Sequence, residues 1–190
     1  MTRINQQEFA KLREEYAFSD QQREYTITRS RELLKHSKRA IYLVHENKLS
    51  QAQQELTNVE DIRSDIRKAG DEEQPSLQHA LEEYVEASCL LAFVQEEELP
   101  SHEELSVPAE TYLAGLCDVT GELVRALTRA AVTSDTRYVA RARDFIDALH
   151  GELLQFHLRN SHLRKKADSV KYNLQKAEHV QYELALRSQE

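Results

Sequence analysis

The feature that most constrains this chain is its near-lack of helix breakers: four Gly and three Pro in 190 residues. Strong helix formers fill the intervals between them. Apolar residues recur at helical rather than strand spacing, so the expected class is all-α, a bundle of six to seven antiparallel helices. Residues 1–190 are expected to form one domain, because the length supports a sizeable single core and no low-complexity tract or linker divides it.

Punctuation places the helices. A long first helix should run from about Asn5 to Glu46, interrupted near Phe18 to Asp20, and a second from about Ser50 to Ala69, stopped by Gly70 and the acidic turn before Pro75. A third should span Pro75 to Glu98, with Pro at its start and Pro100 just past its end. The fourth is expected over Ala109 to Val132 and the fifth over Thr136 to His157. The last should cover Ser161 to Arg187, with Leu163, Val170, Ala177 and Leu184 at heptad spacing.

Charge and cysteine content exclude several function classes. A net charge of -8 argues against binding nucleic acid through global attraction, so any contact with phosphates must be local. Cys89 and Cys117 have neither zinc-ligand nor disulfide-framework spacing, which points to a reducing compartment. With no leader-like segment and no long apolar run, the expectation is a soluble, cytoplasmic protein without membrane association. No Gly-rich phosphate loop or nucleophile motif is present. Six histidines (His79, His102, His150, His157, His162 and His179) lack ligand spacing and read as surface or core residues.

The chemistry-bearing pattern lies on the third and fourth helices. Leu77, Leu81, Tyr84, Val85, Leu91 and Ala92 form one core face of the third; Leu90, Phe93 and Val94 form another, with Glu83 and Glu86 along its side. Ionised carboxylates beside buried surface need a cation or donor. On the fourth helix Asp118 and Glu122 share a face with Arg125 and Arg129. Carboxylate pairs at i, i+3 and i, i+4 on facing helices could hold Mg²⁺ or Mn²⁺ and activate water at a phosphodiester. A solvated face, with Arg125 and Arg129 balancing Asp118 and Glu122, explains the same spacing. Gly115 would permit close approach beside this face. Lys38 and Arg39, in a basic run from Arg29, and Arg125 and Arg129 are candidate RNA contacts, as is a second basic run, Arg164 to Lys166, although the usual role of such runs is solvation. Tyr42, Phe156 and Tyr172 could stack on bases, although aromatics at this spacing are more often core.

Four segments carry a resemblance: SRELLKHSKRAIYLVHE (30–46), LEEYVEASCLLAF (81–93), YLAGLCDVTGELVRAL (112–127) and LRKKADSVKYNLQKAEHVQYELALR (163–187). In this order they resemble the translin family, in its translin-associated factor X (TRAX) form, and EYVEA with DVTGELVR is the specific combination. The resemblance implies a seven-helix α-fold and a metal-dependent endoribonuclease site for single-stranded RNA. By position it gives Glu83, Glu86, Asp118 and Glu122 as catalytic and metal-binding carboxylates, with Mg²⁺ or Mn²⁺ as cofactor. Set against the long insert and basic N-terminal extension associated with eukaryotic factor X, which this sequence does not show, the expectation is a minimal, prokaryotic-type version. A homo-oligomer, octamer-like, is then a simpler expectation than a separate translin partner. Two other readings stay open: a non-catalytic binder of single-stranded RNA or DNA, and a helical scaffold that assembles through its last helix.

Overall fold

A computed structural model describes residues 4–69, 74–159 and 161–187. Among them are six α-helices: α1 Gln6–His45, α2 Leu49–Ala69, α3 Pro75–Gln95, α4 Ala109–Val132, α5 Thr136–Leu153 and α6 His162–Arg187. The all-α expectation holds. The expected stop of α2 at Gly70 and the acidic run 71–73 lies outside the described residues.

Helix α1 starts where Asn5 caps it, its side-chain oxygen accepting from the backbone N–H of Gln7 at 3.1 Å and Glu8 at 3.3 Å. It runs unbroken to His45. The interruption expected near Phe18 to Asp20 does not occur, because nothing there removes a backbone donor or clashes with the preceding turn. Its first half is solvent-exposed, and burial begins at Thr26. The chain reverses at Asn47 (φ 57°), a residue that tolerates the left-handed region, and the Lys48 N–H closes on the Leu43 carbonyl at 2.9 Å. This turn lays α2 along α1, where Arg29 pairs with Asp65 at 2.9 Å, and His36 and Arg39 meet Glu55 at 2.5 and 3.0 Å.

Helix α3 is the central element. It is apolar on nearly every side because α1 and α2 cover one flank and α4 another. It ends at Gln95, three residues earlier than expected, where Glu96 turns into the left-handed region (φ 60°). Helix α4 matches its expected bounds and buries Leu116, Leu123 and Leu127, each side chain worth roughly 1.5–3 kcal/mol. Helix α5 begins on Asp135, which accepts from the Tyr138 N–H at 3.0 Å, and stops at Leu153 rather than His157. On α6 the expected heptad stripe, Leu163, Val170, Ala177 and Leu184, is buried together with Leu174. It closes the bundle against α4 and α5. Asn173 of α6 ties to α4 by donating to the buried Thr120 hydroxyl at 2.8 Å.

Candidate functional site

The crossing of α3 and α4 is set by Gly115. A Cβ added there would lie 2.6 Å from Val85 Cβ and 2.7 Å from the Glu82 carbonyl oxygen, so only glycine lets the helix axes approach this closely. One turn beyond, the crossing brings Asp118 and Glu122 of α4 opposite Glu82, Glu83 and Glu86 of α3. Helix α6 supplies Lys166 and His162, and α1 supplies Lys38 and His45.

The five carboxylates have unequal surroundings. Lys166 bonds to both Asp118 and Glu82, the latter at 2.7 Å, and His162 reaches Glu82 at 3.2 Å. Glu122 is held by the nearly buried His45 and by Arg125 at 3.5 Å. Glu83 has Lys38 at 3.5 Å. Glu86 is only 8 % exposed, and no cation among the described residues lies within ion-pair distance of it.

Charge imbalance follows. Burial pushes the Glu86 carboxyl up to about 8, and the negative fields of Asp118, Glu83 and Glu122 add to it, while Lys166 opposes. Burial also raises Asp118 against the pull of Lys166. Glu122 goes the other way, lowered chiefly by its bond to His45, with Arg125 helping. Lys166 is partly desolvated, yet Asp118 and Glu82 together raise its pKa, keeping it charged.

Glu83, Glu86, Asp118 and Glu122 thus come into one electrostatic neighbourhood. Arg125 lies at its rim on Glu122, whereas Asp118 pairs with Lys166 instead of the Arg125 expected from helical spacing. Arg129 lies further along α4, where it lines a small cavity beside His45. Lys38 is at the site; Arg39 is turned to Glu55 on the α2 side. Tyr42, Phe156 and Tyr172 are exposed, at 57, 46 and 63 %, and none belongs to the core.

Sequence reasoning missed Glu82 and His45, took Lys166 only as part of a basic run, and read His162 only as a surface or core residue. Glu82 had a usable signal, since it lies at i, i+4 to Glu86. The other three had none, because their partners are 77, 48 and 80 positions away.

The donor chemistry fits a hard divalent cation: oxygen ligands, excess negative charge and one carboxyl, Glu86, whose ionisation is opposed first by burial and then by its acidic neighbours. Glu82, Glu83, Asp118 and Glu122 are turned toward protein cations. Among the described residues no three His, Cys, Asp or Glu side chains form a ready-made metal site.

Fold and site together define an all-α bundle with a cluster of carboxylates at the crossing of its two central helices. Residues 21–188 match the Translin family, and the chain belongs to that family. It is 26% identical to the Translin-associated protein X homolog of Schizosaccharomyces pombe over 205 residues, 96% of this chain and 89% of that protein. It is 33% identical to Translin of Gallus gallus and 32% identical to Translin of Homo sapiens, each over 78 residues. Those shorter matches take in 41% of this chain and about a third (34%) of each translin. Among solved structures, apo-NeC3PO superposes with a TM-score of 0.87 at 24% identity, covering 97% of this chain and all of that one. AfC3PO in complex with duplex RNA gives 0.85 at 20% identity, covering 95% and 97%.

Proposed function

We propose that this protein is a metal-dependent endoribonuclease acting on single-stranded RNA, with Glu83, Glu86, Asp118 and Glu122 holding Mg²⁺ or Mn²⁺. The observation that carries this reading is the setting of Glu86: a buried carboxyl beside Asp118, Glu83 and Glu122, with no cation among the described residues within ion-pair distance of it. Membership of the translin family and the likeness to TRAX along nearly the whole chain support it. AfC3PO, which shares the fold, has been captured with duplex RNA.

A bound Mg²⁺ or Mn²⁺ would supply a water of lowered pKa and a counter-charge for the scissile phosphate. The protein's own residues do the positioning. His45 fixes the Glu122 carboxylate, Gly115 fixes the distance between the two acidic helices, and Lys38 and Arg125 give an incoming phosphate local positive charge on an otherwise acidic molecule.

Cleavage of labelled single-stranded RNA tests the reading. Cutting should require Mg²⁺ or Mn²⁺ and stop with chelator, and Asp118→Asn or Glu122→Gln should abolish it while the protein stays folded. An RNA left intact with every divalent ion would sink the proposal. One observation favours a second reading, a non-catalytic binder of single-stranded RNA or DNA: Lys166 already bridges Asp118 and Glu82. Under that reading binding survives chelator and no metal produces cutting. A homo-oligomer, octamer-like in the manner expected from sequence, is part of the proposal, and native mass spectrometry of the purified chain tests it. No described helix is long and apolar enough to cross a membrane.

A further inference from the structure

The carboxylates of the cleft continue along both helices into an apolar slot. On α3, Glu83 and Glu86 are followed at helical spacing by Leu90 and Val94; on α4, Asp118 and Glu122 are followed by Ala126 and Ala130. These apolar residues, with His45 and Tyr138 from α5, line a cavity of about 190 Å³. His45 belongs to both places, since it bonds Glu122 on one side and walls the slot on the other.

Several features say what would fill it. The slot starts one turn along α4 from Glu122, about 6 Å along the axis, on the order of a single nucleotide step from the cleft. Its volume is below the range usual for small-molecule sites, about 300–1,000 Å³, and suits one planar ring system. Tyr138 is held edge-on against Phe93, centroids 6.1 Å apart, with the Arg141 guanidinium over its ring at 5.4 Å, so it offers one fixed aromatic face for stacking. Burial raises the Tyr138 hydroxyl, keeping it a donor, and the Asp135 carboxylate and the exposed Arg129 complete a polar rim. Small side chains at 126 and 130 keep the slot open where larger ones would fill it.

We infer that this slot is a nucleobase subsite: it receives the base beside the phosphate held at the carboxylate cleft, with Tyr138 as stacking surface and Arg129 toward the backbone. The inference rests on the nuclease reading for the placement of the phosphate. It rests on the slot alone for the claim that a base is bound. Stacking on an aromatic ring tolerates any base, because every base has a π face.

The test uses the full chain in chelator, so that binding is read apart from cutting. Wild-type protein should bind single-stranded RNA roughly tenfold or more tighter than a ribose-phosphate chain of equal length lacking bases. Ala126→Phe should erase most of that difference and the fluorescence change of a 2-aminopurine RNA, whereas Ala126→Ser should keep both; thermal unfolding reports whether each variant is folded. Equal wild-type affinity for based and abasic chains overturns the subsite even if the filled variant fails to fold. So does a folded Ala126→Phe that binds as wild type does. Adding Mn²⁺ separates the two readings. Base-dependent binding without cutting leaves the subsite standing and removes the nuclease; cutting with base-independent affinity does the reverse.

Discussion

Lys166 on α6 bonds to Asp118 on α4, 48 positions earlier in the chain, and so places an ammonium between Asp118 and Glu82. A lysine in that position neutralises part of a cleft whose remaining charge is unbalanced, and it would have to yield if a divalent cation took the same carboxylates.

Lys166→Met should therefore destabilise the metal-free protein. Removing one partner of a part-buried ion pair leaves Asp118 and Glu82 uncompensated; the expected loss is about 1–3 kcal/mol, below the 3–5 of a fully buried pair because Asp118 keeps solvent contact. Millimolar Mn²⁺ should restore more stability to the variant than it adds to wild type, as read from urea unfolding with and without the ion. Equal gains in both would separate Lys166 from the cation site.

Stability should fall as pH rises from about 5 to 8. Glu86 is raised to about 8 in the fold, so over that window the native state holds a proton that the unfolded chain has released, and each pH step toward 8 costs stability. The slope from one such group is at most about 1.4 kcal/mol per pH unit. Glu86→Gln should flatten it, measured as unfolding midpoint against pH.

Glu122 should behave oppositely. Its bond to His45 holds its folded-state pKa below the usual carboxylate range, so its contribution is present above the unfolded value and is lost as pH falls through the folded one. In His45→Leu the Glu122 carboxyl should titrate at higher pH, followed by carbon NMR of labelled glutamate. An unmoved titration would show that Arg125 suffices.

Gly115→Ala should destabilise by about 1–3 kcal/mol, although alanine is the better helix former by about 1 kcal/mol. The added Cβ meets backbone at Glu82, and backbone cannot swing aside. Thermal unfolding measures the loss. Any metal-dependent cutting should fall more than in a variant of equal stability, because α3 and α4 must part at the cleft. A stabilised Gly115→Ala would show that the crossing has slack.

Helix identity was legible in the sequence because it depends on local chemistry. Pro75 and Pro108 mark helix starts, and the turn at Thr133 to Asp135 separates α4 from α5. The heptad residues of α6, Leu163, Val170, Ala177 and Leu184, pack as their spacing requires. Ends without a breaker were harder: α3 and α5 stop where the chain turns, at Glu96 and Leu153, which no residue type announces. The DEEQP turn signal falls partly on residues 71–73, outside those described.

The sequence alone determined an all-α chain with Glu83 and Glu86 on one helix, Asp118 and Glu122 on another, and a glycine beside them. Helical periodicity is a property of consecutive residues, so it can be read from them. Tertiary structure decided what those carboxylates face. Whether an acidic side chain meets water, a lysine or another carboxylate depends on contacts between residues 40 to 80 positions apart, and spacing along one helix carries no trace of them. Only packing of α3 against α4 and α6 converted an acidic face that could have been solvated into a cluster where Lys166 and His45 are partners and Glu86 has no ion-pair partner among the described residues.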